Sequence, residues 1–179
     1  MPAAIELCAM ERDAVRERFE KLLATHGAAI GRVARVYARA PDEAADLAQE
    51  IAVAVWRALP NFRGECSERT FVFRVAHNRG ISHRNAERTR EERTPLIDPP
   101  AVPDHTLGAD LALDAARQRA ALWKAIEALP VGARAVLTLA LEGMSHEEIA
   151  EVLGSTANSV AVRLSRARAD LRARMESGS

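Results

Sequence analysis

Residues 156–171 carry two chemically different sides of one predicted helix. Apolar residues recur at i, i+4, i+7 and i+11, a spacing that forms a single stripe on an α-helix and predicts burial. They are Val160, Leu164, Ala167 and Leu171. The other side and the helix start carry Thr156, Asn158, Ser159, Val162, Arg163 and Arg166. Amide and guanidinium groups bond the edges of bases and arginines neutralise phosphates, so this surface suits the major groove of DNA.

The preceding segment predicts a helix that holds this surface in place. Ser145 and Glu148 have the spacing of a capping box, and Gly154 ends the short helix that they begin. A short helix, a tight turn and a second two-faced helix form the helix-turn-helix arrangement, whose second helix enters the major groove. The alternative is a helical hairpin with a solvated arginine face.

The histidines and cysteines are not spaced for catalysis or for metal binding. His77 and His83 lie about 120° apart on their predicted helix. The remaining histidines, which have no acid or thiol at ligand spacing, are His26, His105 and His146. Cys8 and Cys66 make neither a disulfide framework nor a metal-ligand pattern, which favours a reducing cytosol. We therefore expect no enzyme activity, no metal and no cofactor.

Composition predicts an all-α protein. Aromatic residues make up 4% of the 179 residues, whereas the helix-forming Ala, Leu, Arg and Glu dominate. No apolar run approaches the length that spans a bilayer, and the first residues are acidic rather than a basic signal-peptide head. We expect a cytoplasmic protein without membrane insertion.

The charge is balanced overall but unevenly placed. The net charge is zero, yet residues 62–93 hold eight Arg against five acids, and residues 156–174 hold five Arg against one acid. Arg supplies 23 of the 25 basic residues, and its planar fork suits phosphate and guanine contacts. Two separated segments are thus predicted to meet nucleic acid or another acidic partner.

A proline-rich segment predicts a boundary between two domains. Residues 94–108 contain Pro95, Pro99, Pro100 and Pro103, each of which lacks a backbone donor, so no helix passes through them. We expect two small helical domains, 1–93 and 109–179, joined by the linker 94–108. The alternative is a long loop within one domain.

Residues 41–59 predict a helix with a docking face. Pro41 suits the first turn, and an apolar stripe that includes Leu47 and Ile51 predicts the buried side. The reverse side carries Asp46, Gln49, Glu50, Val53 and Arg57, with Trp56 close to its edge. Charged and amide groups beside an aromatic ring are typical of protein interfaces. The alternative is a solvated face with Trp56 folded back onto a neighbouring helix.

A third segment predicts an exposed track on a helix that begins after Ser67. Its inner face contains Phe71, Val72 and Val75. The opposite side carries Phe73, His77, Gly80, Arg84 and Arg88. An aromatic ring among basic residues suits a strand of nucleic acid, since the ring stacks on an unpaired base while Arg meets phosphate. The alternative places Phe73 against the first helix of the chain.

The order of these motifs resembles a known family. The chain runs DLAQE at 46–50, VWRALPNFRGECSERTFVFRVAHN at 55–78, a proline-rich linker, and ALPVGARAVLTLALEGMSHEEIAEVLGSTANSVAVRLSRAR at 128–168. This order resembles the bacterial sigma factors of the extracytoplasmic-function group over nearly the whole chain. The resemblance implies an alternative sigma factor that directs core RNA polymerase to promoters, acts without a cofactor and is held by an anti-sigma factor.

The resemblance also implies roles for particular residues. The polymerase-facing residues would be Asp46, Gln49, Glu50, Val53 and Trp56. A flipped base of the minus-ten element would enter the loop from Phe62 to Ser67, and the minus-ten residues would be Phe62, Arg63, Phe73, His77, Asn78, Arg84 and Arg88. The minus-thirty-five element would be read by Thr156, Asn158, Ser159, Val162, Arg163 and Arg166.

The chain departs from the family pattern at two sites. Phe71 and Phe73 stand where the family commonly has Trp and Tyr, and Ala161 and Val162 stand where polar or basic readers are common. A Val can contact a thymine methyl but cannot select a base by hydrogen bonds. The rival hypothesis is a polymerase-independent helix-turn-helix regulator, which would be dimeric, whereas a sigma factor free of partners is expected to be monomeric.

Overall fold

A computed structural model of the protein describes residues 2–93 and 121–177, with side chains described for 13–90 and 121–176. All regular elements in these ranges are helical, which confirms the all-α prediction. The helices are α1 (Pro2–Tyr37), α2 (Pro41–Ala58), α3 (Glu68–Arg93), α4 (121–127), α5 (Val131–Leu141), α6 (His146–Leu153) and α7 (Ala157–Ser177). A 3₁₀ turn, Leu59–Asn61, follows α2. None of the described helices is long and apolar enough to cross a bilayer.

The chain divides into two compact units. One contains the residues up to Ala86 together with Glu151–Gly154, and the other contains the rest of the described chain. The predicted linker 94–108 lies outside the described residues. The domain bounds 1–93 and 109–179 therefore stay predictions.

The first unit has a core shared by α1, α2 and α3. Helix α1 supplies a stripe of buried residues at helical spacing, among them Leu22, Ile30, Val33 and Tyr37. Helix α2 buries Leu47, Ile51 and Val55, as its apolar stripe predicts. Helix α3 buries residues on more than one side, namely Phe71, Val72, Phe73 and Ala76. Because neighbours cover it from more than one direction, α3 has no simple division into an inner and an outer face.

The starts of α2 and α3 are fixed by local hydrogen bonds. Pro41 is the first residue of α2, and the Glu43 carboxylate accepts the Arg39 N–H at 2.7 Å. Ser67 lies immediately before α3, and its hydroxyl oxygen accepts the Thr70 N–H at 3.0 Å. The Ser67 cap satisfies a donor that the start of α3 leaves unpaired and contributes about 1 kcal/mol.

Helices α6 and α7 are joined as the sequence predicts. The Glu148 carboxylate accepts the Ser145 N–H at 2.7 Å, while the Ser145 hydroxyl accepts the Glu148 N–H at 3.2 Å, which confirms the capping box. Gly154 ends α6 with a φ of 61°, a conformation that glycine adopts without strain. The Ser155 N–H then donates to the Ala150 carbonyl at 2.9 Å and closes the turn.

Helix α7 packs with the predicted side inward. Val160, Leu164 and Ala167 are buried, and Leu171 is half-buried. Helix α7 packs against α5. The stripe seen in the sequence therefore fixes the rotation of α7 about its own axis.

Candidate functional site

The α2 surface predicted to dock a partner forms one side of an open depression of about 810 Å³. Its lining is Asp46, Gln49, Glu50, Val53, Ala54, Arg57, Ala58 and Arg79. Asp46 and Gln49 are exposed, and Val53 keeps 47% of its surface exposed. Helix α2 thus presents acidic, amide and methyl groups together, a combination that fits a protein partner with basic and apolar groups.

Trp56 lies at the border of this face and contacts another helix. Its ring meets the ring of Phe19 edge to face, with centroids 5.1 Å apart, and it remains 39% exposed. The alternative of a Trp56 folded against a neighbour is therefore correct for one side of the ring. The exposed side remains accessible to a partner.

Polar side chains join α2 to α3 through Glu43 and Glu50. The Glu50 carboxylate accepts from Arg79 at 2.9 Å and 3.2 Å, and His83 Nε2 lies 2.7 Å from Glu43 Oε1. His83 Nδ1 is also 3.7 Å from Glu50 Oε2. The sequence interpretation missed Arg79, Glu43 and His83. The sequence pattern that could have indicated them is two acidic residues seven positions apart on one helix and two basic residues four positions apart on the next.

Glu43 is stabilised as a carboxylate. Burial raises its pKa, but the hydrogen bonds from the Arg39 and Ala40 N–H groups and from His83 outweigh burial, so the pKa lies below its ordinary value. The folded protein therefore favours the charged form of Glu43. It helps to fix both the start of α2 and the position of α3.

The exposed aromatic track predicted on α3 is wrong at Phe73. Phe73 is 1% exposed, and its ring lies edge to face with His26 of α1 at a centroid distance of 6.2 Å. The alternative, in which Phe73 packs on the first helix, is correct. Phe71 is also buried at 5%, so neither ring is open to a base. The physical reason is that α1 covers the side of α3 that periodicity alone leaves exposed.

Helix α1 also contacts His77 and Gly80, so these two residues do not belong to the exposed track that the sequence predicts. His77 is half-buried, and its Nδ1 is hydrogen-bonded to the Tyr37 hydroxyl. Burial lowers the pKa of His77, which favours the neutral imidazole. Gly80 is buried against the Tyr37 ring. The two residues serve helix packing, so the track is shorter than expected.

Basic and amide groups remain on the outer part of α3. Asn78, Arg84 and Arg88 are exposed, as predicted. In the loop before α3, Arg63 is exposed and Gly64 has a φ of 82°, which favours glycine. These positions keep the chemistry for phosphate and base contacts.

Phe62 is placed differently from the other residues of this loop. Its ring is half-buried and stacks on Phe71 with centroids 4.4 Å apart and planes 26° apart. The Arg18 guanidinium lies over the same ring, 5.1 Å from its centroid. The sequence interpretation did not anticipate Arg18, which lies 44 residues earlier in the chain.

The outward surface of α7 keeps the predicted groups. Asn158, Arg163 and Arg166 are exposed, and Val162 is 43% exposed. Ser159 is half-buried. Thr156 is exposed, and its hydroxyl accepts the Ser159 N–H at 3.2 Å, so it caps α7. The outward surface of α7 therefore offers one amide, one apolar side chain and two cations, and the Thr156 cap stabilises the start of the helix.

Comparisons with known proteins match these two sets of helices. The Sigma-70 region 2 family model matches residues 22–90, and the Sigma-70, region 4 model matches residues 119–171. The chain is 32% identical over 183 residues to the RNA polymerase sigma factor CnrH of Cupriavidus metallidurans, which covers 97% of this chain and 94% of the relative.

Two further comparisons agree with this. The chain is 30% identical over 134 residues to the ECF RNA polymerase sigma-E factor of Escherichia coli K12, covering 69% of each. A solved structure of CnrH in complex with the cytosolic domain of CnrY superposes with a TM-score of 0.65 and 29% identity over 97% of both chains. The chain belongs to the RNA polymerase sigma factors, in the extracytoplasmic-function (ECF) group. It is an alternative sigma factor, which directs core RNA polymerase to specific promoters at transcription initiation.

Proposed function

We propose that the depression on α2 is the surface by which this sigma factor binds core RNA polymerase. The observation that carries the proposal is that Asp46, Gln49 and Glu50 line one open depression beside the exposed Val53. Asp46 and Gln49 are exposed and would meet the polymerase directly. Glu50 is held by Arg79 and would shape the surface from its edge.

The loop before α3 and the outer part of α3 would bind the minus-ten element. Arg63 lies in the loop that would receive a flipped base, and a snug pocket offsets the few kcal/mol that flipping costs. Asn78, Arg84 and Arg88 are exposed along α3 and would contact the strand and its upstream duplex. Phe73 is not part of this proposal because helix packing encloses it, and His77 is left out because it is half-buried and hydrogen-bonded to Tyr37.

Helix α7 would read the minus-thirty-five element. Asn158, Arg163 and Arg166 would supply hydrogen bonds and phosphate contacts, and Val162 would supply an apolar contact such as a thymine methyl accepts. Ser159 would add a hydroxyl near the helix start. Thr156 would act through its cap.

Control by an anti-sigma factor is part of the proposal. The solved relative CnrH is bound to the cytosolic domain of CnrY. A protein that covers the α2 depression or α7 would block polymerase or promoter binding by this chain. We place the protein in the cytoplasm, as a monomer when free of partners, without catalysis of its own.

Competition for core polymerase tests the α2 assignment without a known promoter. The purified protein is titrated against a labelled housekeeping sigma factor bound to core enzyme. Wild-type protein should displace the label, and the double variant Asp46→Ala with Gln49→Ala should displace it at least about tenfold less well, as interface hot spots do. Circular dichroism of each variant checks that its helices are intact.

Asp42 provides a matched control. It is an exposed acid on the same helix and does not line the depression. Asp42→Ala should compete like wild type. Equal competition by the double variant and wild type, with native helicity, overturns the α2 assignment.

A further inference from the structure

We propose that Arg18 is a positioning residue for the loop that would capture the flipped minus-ten base. The inference rests on the proposed role of that loop. Arg18 is on α1, Phe62 begins the loop and Glu68 begins α3, so one side chain contacts both ends of the loop.

Two contacts place Arg18 at the loop. Its Nε donates to Glu68 Oε1 at 2.7 Å, and its guanidinium carbon lies 5.1 Å from the centre of the Phe62 ring. Phe62 in turn stacks on the buried Phe71 at 4.4 Å. The start of the loop is thereby anchored to the core of the unit.

The loop has no helix or strand of its own to fix the position of Phe62. Between Phe62 and Ser67 the chain has no regular secondary structure, Arg63 and Glu65 are exposed, and Gly64 takes a left-handed conformation. Phe62 therefore anchors the start of the loop to the core. Its ring is not free to stack on a base, since Phe71 and Arg18 already contact it. The base-capturing surface would lie in residues 63–66.

The ion pair alone is too weak to explain the arrangement. The side chains of Arg18 and Glu68 are 41% and 48% exposed, and pairs of this kind contribute little to stability. Its value is geometric, because the fork of Arg keeps the guanidinium over the ring while it bonds the carboxylate. Loss of Arg18 should loosen the loop without unfolding the unit.

The test uses holoenzyme on a promoter mapped by sequencing the transcripts that the wild-type holoenzyme starts. Promoter opening is measured from the permanganate reactivity of unpaired thymines in the minus-ten region. Arg18→Ala should lower the opened fraction about two- to fivefold, the range of an exposed cation–π contact. Affinity for core polymerase and helix content by circular dichroism should stay at the wild-type values, which separates a displaced loop from a misfolded unit.

Matched variants separate the contacts. Arg16→Ala removes the neighbouring Arg16 to Glu20 pair on the same helix and should leave opening unchanged. Phe62→Leu should lower promoter opening as Arg18→Ala does. The double variant should show no further loss, because both substitutions break the same contact between Arg18 and Phe62. Additive losses in this cycle, or opening by Arg18→Ala equal to wild type, overturn the proposal.

Arg63→Ala distinguishes a failure of this inference from a failure of the proposed function. If Arg63→Ala lowers opening and Arg18→Ala does not, the loop captures DNA but Arg18 does not position it. If both variants open the promoter like wild type, the loop itself has been assigned wrongly. Arg18→Lys, which keeps the charge but loses the fork, should restore only part of the opening.

Discussion

Gly80 of α3 lies directly against the ring of Tyr37 at the end of α1. A Cβ atom at position 80 would stand 2.5 Å from Cγ and 2.7 Å from Cε2 of that ring. Tyr37 is 2% exposed and cannot move into solvent without leaving the core. The absence of one methyl group therefore sets how closely α1 and α3 approach each other.

Gly80→Ala should destabilise the protein although alanine favours helices. Overpacking of a filled core costs about 1–3 kcal/mol, whereas the better helix propensity of Ala returns about 1 kcal/mol. The free energy of unfolding, measured by urea denaturation, should therefore fall by up to about 2 kcal/mol.

Gly31→Ala is the matched control for this prediction. Gly31 is within α1, and no atom outside the backbone of its own helix lies within 4 Å of where its Cβ would stand. The substitution should stabilise the protein by up to about 1 kcal/mol. Equal effects of the two substitutions would show that helix propensity, and not the Tyr37 ring, decides both.

His77 should make the stability of the first unit depend on pH. Burial lowers its pKa, so the folded protein favours the neutral imidazole while the unfolded chain binds a proton near its ordinary pKa of about 6.5. Stability should therefore fall as pH is lowered from about 7.5 to about 5.5, since the unfolded state takes up more protons. His77→Gln should reduce this fall, measured as the difference in unfolding free energy between the two pH values.

Tyr37→Phe checks the cause of this pH dependence. It removes the hydroxyl that is hydrogen-bonded to His77 but leaves the histidine buried. If burial sets the pKa, the fall in stability with pH should persist in Tyr37→Phe. Its disappearance would assign the effect to the hydrogen bond instead.

Thr156 should matter to DNA binding through its cap on α7. Thr156→Ala should lower the unfolding free energy by about 1 kcal/mol and weaken binding of the holoenzyme to a mapped promoter. Thr156→Ser keeps the oxygen that accepts the Ser159 N–H and should restore both quantities. A Ser variant that is stable but still binds weakly would instead point to a contact made by the threonine methyl.

Arg163 and Arg166 should contribute the salt-dependent part of promoter binding by α7. Removing one arginine that neutralises a phosphate should reduce the slope of log K against log salt concentration by about 0.9. Each Arg→Ala variant is titrated on the promoter duplex at several salt concentrations. Arg174→Ala, an exposed arginine in the last turn of α7, is the control and should keep the wild-type slope. Unchanged slopes in all three variants would remove these arginines from the DNA interface.

The sequence determined the features that depend on neighbours within a few residues. Ser145 with Glu148, and Gly154, marked α6 and its turn correctly because capping and left-handed glycine are local effects. The stripe of α7 was also predicted, since one periodic apolar face meets one core. Asp46, Gln49 and Glu50 were placed on one face of α2 for the same reason, since their spacing follows the turn of a single helix.

Only the tertiary structure decided which side of α3 is exposed. Periodicity places Phe73 and His77 opposite Val72 and Val75, but it cannot show that α1 covers that second side. Helix α1 supplies Tyr37, His26 and Arg18, and the sequence does not show which helix α1 packs against. The contacts of these residues with α3 and its loop join positions forty or more residues apart. Burial is a property of two surfaces together, so a helix that meets neighbours on both sides is assigned only when those neighbours are in place.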